Sequence, residues 1–267
     1  MRASVDGLSI FANTGGEPHT PGAPTIVFIH GAAMDHTAWT LLARFWAKSG
    51  YNVVAIDLPG HGLSEGQPLT TIEQNADIVE RLLVQLELLD NLVLVGHSMG
   101  SLIALECAAA MQQTTVLGML GTTFPMPVSK HLLAAAQAND HSAIDMISLY
   151  GHSFGGQLGG NPVAGIHAQN FGERIMEQAA PGVMYTDLKA CNEYKSGSAT
   201  AQKVTCRAGL ILGEFDAMTP AASVSALLDS LPNGTKTILP DCGHMMMTEK
   251  PEETHRAIVE LITGSCA

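Results

Sequence analysis

Gly96-His97-Ser98-Met99-Gly100 lies directly after the apolar run Leu92–Val95 and directly before the apolar stretch Ser101–Met111. A serine on a sharp turn between a buried strand and a helix takes a strained backbone conformation, and small residues must flank it for the chain to close. Gly96 and Gly100 meet that need, which makes Ser98 the candidate nucleophile. A helix starting there points its positive end at developing negative charge, so the Met99 N–H is expected to bind an oxyanion. A second donor is expected after the run Thr25–Ile29, where His30-Gly31-Ala32-Ala33 follows. That role falls to the Ala32 N–H. Gly31 is expected to let the backbone approach a substrate, and His30 to hold the loop by hydrogen bonding rather than act as a base.

A serine hydroxyl is a weak nucleophile until an imidazole takes its proton, and the imidazole needs a carboxylate to fix its tautomer. Asp216 and His244 each follow a strand-like run, AGLIL and TKTILP, and are therefore expected at the same sheet edge as Ser98. Glu214 and Asp241 compete for the acid's role, but Asp216 is followed by the turn-forming Met218-Thr219-Pro220 and is preferred. The set Ser98, Asp216 and His244 with two backbone donors predicts acyl transfer that calls for no cofactor. A second G-x-S-x-G, Gly151 to Gly155, has neither a buried strand before it nor an apolar helix after it, so Ser153 is read as a loop residue.

The surrounding composition narrows what such a site serves. The net charge of −12 repels nucleic acid and anionic lipid surfaces unless a basic patch intervenes, and the densest basic stretch, Lys189, Lys195, Lys203 and Arg207, is spread thinly. No early apolar segment resembles a leader and no run approaches a membrane span, so a cytoplasmic protein is expected. Cys107, Cys191, Cys206, Cys242 and Cys266 are odd in number and include no C-x-x-C, and are read as free thiols. The 11 histidines show no zinc-ligand spacing on one element, and no metal site is expected. The expected partner is a small-molecule substrate; monomer and homodimer both stay open.

The elements that must position these residues read as α/β. Hydrophobic residues make up 46% of the 267, and charged ones only 14%. The runs at 25–29, 53–57, 92–96, 116–120, 208–212 and 235–239 are continuously apolar for the most part, as suits central strands of a parallel sheet covered on both faces. Helical periodicity is clearest over 71–89, with a capping box expected from Thr70 and Glu73, and a last helix is expected from Pro251. From about Phe124 to Ala201 strong strands are lacking and helical patches appear at 130–138 and 171–179, which predicts a helical insertion (124–201) in a core of 1–123 and 202–267.

HGAA, Asp57-Leu58-Pro59-Gly60-His61-Gly62-Leu63-Ser64, GHSMG, LGEFDAMTP and GHMMMTEKP, in that order, resemble the motifs of the α/β-hydrolase superfamily across nearly the whole chain. In the second of these Asp57 and His61 are read as structural. The resemblance implies an eight-stranded, mostly parallel sheet with helices on both faces and a helical cap inserted after the sixth strand. It implies a serine hydrolase, with carboxylic esters of modest-sized acyl groups as the expected substrates. Enol-lactonases, C–C bond hydrolases and slow-hydrolysing ligand receptors share the layout. Met126 and Met146 from the cap, with Met218, are the expected substrate contacts; Leu132, Ile147, Phe154, Phe171, Met176 and Met184 are further apolar cap residues that either line the pocket or pack the cap.

Overall fold

The computed structural model describes residues 1–160, 162 and 164–264; Cys266 lies outside them. Its eight-stranded sheet comprises β1 (Arg2–Val5), β2 (Leu8–Asn13), β3 (Thr25–Ile29), β4 (Asn52–Ile56), β5 (Leu92–His97), β6 (Thr114–Leu120), β7 (Arg207–Gly213) and β8 (Gly234–Leu239). The spatial order is β1-β2-β4-β3-β5-β6-β7-β8. The first two pairings, β1 with β2 and β2 with β4, are antiparallel and the rest parallel. The first two strands form a hairpin whose two-residue turn, Asp6-Gly7, has φ of 50° and 83°, the positive values a tight hairpin turn requires.

Successive side chains of a strand face opposite sides, and the core divides accordingly. Val27 and Ile29 pack with α2 (Ile72–Gln85) and α3 (Met99–Ala110) on one face. Ile26 and Phe28 pack on the other with α1 (Thr40–Lys48) and α12 (Pro251–Thr263), where Pro251 opens the last helix as expected. Burial on both faces explains why these strands read as unbroken apolar runs.

From β3 the chain moves to one side to form β4 and then returns to the other side for β5. Such a switch point leaves a crevice at the carboxyl ends of β3 and β5, which is where HGAA and GHSMG emerge. Between β6 and β7 the described elements are all helical: α4 (Lys130–Gln137), α5 (Ser142–Gly151), α6 (Phe154–Gln157), α7 (Ala168–Glu177), α8 (Val183–Glu193) and α9 (Gly197–Ala201). Ala201 of α9 joins the same core cluster as α3, and so packs with the body of the fold. The remaining α-helices among the described residues are α10 (Ser225–Ser230) and α11 (Met246–Glu249).

The cap of α2 differs by one residue from expectation. Thr71, not Thr70, is extended and accepts the Gln74 N–H at 3.1 Å, while the Gln74 side chain reaches back to the Thr70 N–H at 3.2 Å. The pattern fits at both offsets, and Ile72, fully buried, sets the first helical position. No helix among the described residues is long and apolar enough to cross a membrane.

Candidate active site

Ser98 sits between β5 and α3 with φ 52° and ψ −119°, a conformation that costs a non-glycine residue about 1–3 kcal/mol. The turn closes only because its flanks are bare: a Cβ on Gly96 would strike the Gly100 carbonyl, and one on Gly100 would strike the carbonyl of Ile29. The Ser98 N–H is held by Leu120 O at 2.9 Å, and the Ser101 hydroxyl donates to Ser98 O at 2.6 Å. Met99 is the first residue of α3, so its N–H is among those a helix start leaves without an intrahelical acceptor.

Asp216 and His244 meet as the loop positions suggest. His244 Nδ1 lies 2.7 Å from Asp216 Oδ2, with both side chains buried. The other carboxylate oxygen accepts the N–H groups of Met218 at 2.9 Å and Thr219 at 2.7 Å, and the Thr219 hydroxyl donates to Oδ2 at 2.7 Å. Burial alone would raise the Asp216 carboxyl; the charge of His244 and the bonds from His244 and Thr219 together outweigh it and hold the pKa at about 2. The competing carboxylates face elsewhere: Glu214 is exposed and accepts the Asp241 N–H at 3.0 Å, and Asp241 is exposed as well.

His97, beside Ser98, was not singled out by the sequence motif. It is buried, its ring centroid is 4.6 Å from that of His244, and its Nε2 donates to His244 O at 2.9 Å. Burial and the neighbouring His244 push its pKa down to about 3, so it is neutral and serves to hold the His244 backbone.

On the opposite side, His30 holds its loop as expected. Nδ1 donates to Gly31 O at 2.9 Å, and Nε2 accepts the Leu58 N–H at 3.2 Å. Burial drives its pKa down to about 4, which removes it as a cation. Gly31 does not line the cavity, contrary to expectation. A Cβ there would lie 2.9 Å from His97 Nδ1 and 3.3 Å from Ser98 Cβ, so the glycine is needed to bring the loop against Ser98.

Ser98 and Ala32 open into a cavity of about 450 Å³ whose wall includes Met126, Met146 and Met218. Leu132 also lines it, whereas Phe154 stands 74% exposed away from it. The polar wall residues Ser129, His131 and Tyr150 had no signal in the sequence, because only the packing of α4 and α5 brings them to the opening. No Lys, Arg, Asp or Glu is among the described residues that line it. A larger groove of about 840 Å³ along β7, β8 and α12 contains none of the candidate residues.

Ser153 is held in a buried network away from the cavity that Ser98 lines. It caps α6 through the Gly156 N–H at 3.1 Å and donates at 2.6 Å to Glu249, a buried carboxylate whose other oxygen accepts the Gly243 N–H at 3.1 Å. Gly151 O accepts the N–H groups of His244 at 2.8 Å and Met245 at 3.1 Å. Asp57 is consumed in the same manner by the His36 N–H at 2.6 Å, the His36 ring and the Leu63 N–H at 2.8 Å. Asp35, His36 and Asp57 bring potential ligand atoms within 4.8 Å of one another, and Asp35 Oδ1 accepts the Thr37 N–H at 2.8 Å.

Residues 26–257 match the alpha/beta hydrolase family, and the chain belongs to it. Among solved structures, a thermophilic esterase from Thermogutta terrifontis aligns with a TM-score of 0.84 at 20% identity, covering 99% of this chain and 98% of that one. The enol-lactonase from Burkholderia xenovorans LB400 aligns with a TM-score of 0.84 at 21% identity, over 98% and 100%. At such identities the likeness is one of fold. Over 113 residues the chain is 38% identical to the dihydrolipoyllysine-residue acetyltransferase component of the acetoin cleaving system of Cupriavidus necator, 42% of this chain and 28% of that protein. A phospholipase of Bacillus subtilis is 34% identical over 98 residues, 36% of this chain and 38% of that protein. The chain thus spans about a third of the length of the curated relatives it matches.

Proposed function

We propose that the protein is a serine hydrolase that cleaves carboxylic esters of modest-sized, uncharged acyl groups. The observation that carries this is the buried Asp216–His244 pair, 2.7 Å apart, set beside a strained serine turn that opens into an apolar cavity. With Nδ1 committed to Asp216, His244 has Nε2 left to take the Ser98 proton. Ser98 Oγ adds to the ester carbonyl, and the Ala32 and Met99 N–H groups receive the oxyanion. His244 then returns the proton to the departing alcohol, and water releases the acid from Ser98 by the same steps.

Among the described residues the cavity wall holds no Lys or Arg, so apart from the His131 imidazole it offers no cationic partner to a carboxylate substrate, which favours neutral esters over anionic ones. The apolar methionine and leucine lining suits aliphatic or aryl groups. The esterase and enol-lactonase among the similar proteins support hydrolysis at a carboxylic ester as the reaction class. The test is a panel of p-nitrophenyl esters of increasing acyl length, run beside a lactone and a vinylogous diketone. Turnover on the acetate or butyrate well above buffer is expected. Ester turnover no faster than buffer, with rapid diketone cleavage, would replace this reading with C–C hydrolysis.

A further inference from the structure

The loop that carries Ala32 is a tight turn, closed by the Met34 N–H to Gly31 O at 3.2 Å, with Ala33 in its third place at φ 55°. The turn's own hydrogen bond leaves the N–H of that third residue unused. A non-glycine residue on the left-handed side is unfavourable there and needs holding. The Ala33 N–H is bonded at 2.8 Å to Oδ2 of Asp187, which comes from α8, 154 residues further along the chain. The same Oδ2 lies 2.8 Å from His61 Nε2, and His61 Nδ1 lies 3.0 Å from Pro59 O.

Both nitrogens of His61 therefore face acceptors. A carbonyl oxygen has no proton to give, so Nδ1 carries a hydrogen, and the short contact to a carboxylate calls for a second proton on Nε2. His61 and Asp187 form an ion pair with 1% of each side chain exposed. The other titratable groups acting on His61 are Asp57 and the ring of His30, 4.8 Å away centroid to centroid. Burial opposes the His61 charge, but the Asp187 carboxylate, the Pro59 carbonyl and Asp57 outweigh it and raise its pKa.

We propose that Asp187 is a positioning residue for the oxyanion hole: from the helical segment between β6 and β7 it clamps the turn at Ala33, and His61 holds its carboxylate in place. His61 thus has a defined part in setting the site rather than merely filling the turn at Pro59–Gly62. The proposal rests on the reading of Ser98 and Ala32 given above. A donor displaced by a fraction of a bond length fails the transition state more than the ground state, because the oxyanion forms only as Ser98 adds. Turnover should therefore suffer and substrate binding should not.

The test compares Asp187→Ala and Asp187→Asn with wild type. Readouts are kcat and KM on p-nitrophenyl butyrate, and affinity for a butyl trifluoromethyl ketone, which binds when Ser98 adds to its carbonyl, and for the matching alcohol, which does not form an adduct. For Asp187→Ala, kcat should fall on the order of 10- to 100-fold with KM within about two-fold. Ketone affinity should fall in parallel while alcohol affinity stays. Asp187→Asn, whose amide oxygen can still accept the Ala33 N–H, should recover most of the loss, and it keeps the comparison usable should the alanine variant not fold. Both variants retaining wild-type kcat and ketone affinity would overturn the proposal, as would a loss shared equally by ketone and alcohol. Fluorophosphonate labelling of the wild type separates the two readings. Absence of labelling at Ser98 defeats the Ser98 assignment and the proposal with it, whereas intact labelling with unaffected Asp187 variants defeats the proposal alone.

Discussion

Asp216→Asn is the sharpest test of the proposed triad because the structure dictates how the new amide must sit. One carboxylate oxygen accepts two backbone N–H groups, from Met218 and Thr219, and the other meets His244 Nδ1. If the amide nitrogen took the first place it would face two donors and abandon two buried hydrogen bonds, at a cost of about 1–3 kcal/mol each. The amide oxygen therefore stays on the backbone side and the NH₂ group turns to His244, where the Thr219 hydroxyl can rotate from donor to acceptor. An NH₂ facing Nδ1 requires that nitrogen to be the acceptor, so the imidazole hydrogen moves to Nε2, the nitrogen that should take the Ser98 proton. The base is then in the wrong tautomer in nearly every molecule. A loss of about 10⁴-fold in kcat, equivalent to about 5 kcal/mol, follows for a triad disabled in this way. The assay is kcat on p-nitrophenyl butyrate beside a thermal melt showing the variant folded at the assay temperature. Retention of more than a tenth of wild-type kcat would refute the argument. A large loss in Glu214→Gln or Asp241→Asn with Asp216→Asn spared would refute it as well.

Two further outcomes follow from the same geometry. A fluorophosphonate probe should label wild type and Ser153→Ala but not Ser98→Ala; Ser153→Ala should nonetheless melt lower, since a hydrogen bond to a buried charged group contributes about 1.5–3 kcal/mol and each kcal/mol moves Tm by about 2–4 °C at this size. Labelling that survives Ser98→Ala and vanishes with Ser153→Ala would exchange the roles of the two motifs. Because folding lowers the Asp216 pKa from 3.8 to about 2, its ionised form stabilises the native state above about 3.8, and that contribution is lost as pH falls from there towards 2. The amount is about 2 kcal/mol, read as the difference between wild-type and Asp216→Asn unfolding curves at pH 6 and pH 2.5. Parallel curves across that window would show that the pair adds no pH-dependent stability.

The central strands and the turn at Ser98 were legible because one physical requirement writes itself locally: burial on both faces demands an unbroken apolar run, and a strained turn demands bare neighbours. The first hairpin was less so. Its strands alternate partly exposed residues and pair only at the sheet's edge, although Asp6-Gly7 carried the turn signal. Gly31 was read for the right property and the wrong neighbour, since a sequence shows that a close approach is permitted but not what approaches. The contacts that brace the site were not legible at all. His97 to the His244 carbonyl spans 147 positions, Asp187 to Ala33 spans 154, and Ser153 to Glu249 spans 96. No local spacing rule encodes a hydrogen bond between segments that meet only after the sheet is assembled.

Those long-range contacts bear on why the site holds together. The strained Ser98, the left-handed Ala33 and the loop of His244 are each unfavourable or unrestrained alone, and strained geometry persists only where surrounding structure over-determines it. Ser98 is fixed from within the sheet, by β6 through Leu120 O. The other two loops are fixed from the helical segment: Asp187 of α8 grips the Ala33 N–H, while Gly151 and Ser153 grip the His244 loop directly and through Glu249. The two grips use polar groups buried almost completely, which makes loosening them costly because each would leave a donor or a carboxylate unsatisfied. A helical segment that only covered the cavity would need apolar contacts alone. One that carries buried polar grips on both sides of Ser98 ties the Ala33 loop and the His244 loop to a single body. Substitutions at the seams of α5 and α8 should therefore alter turnover without touching any residue that lines the cavity.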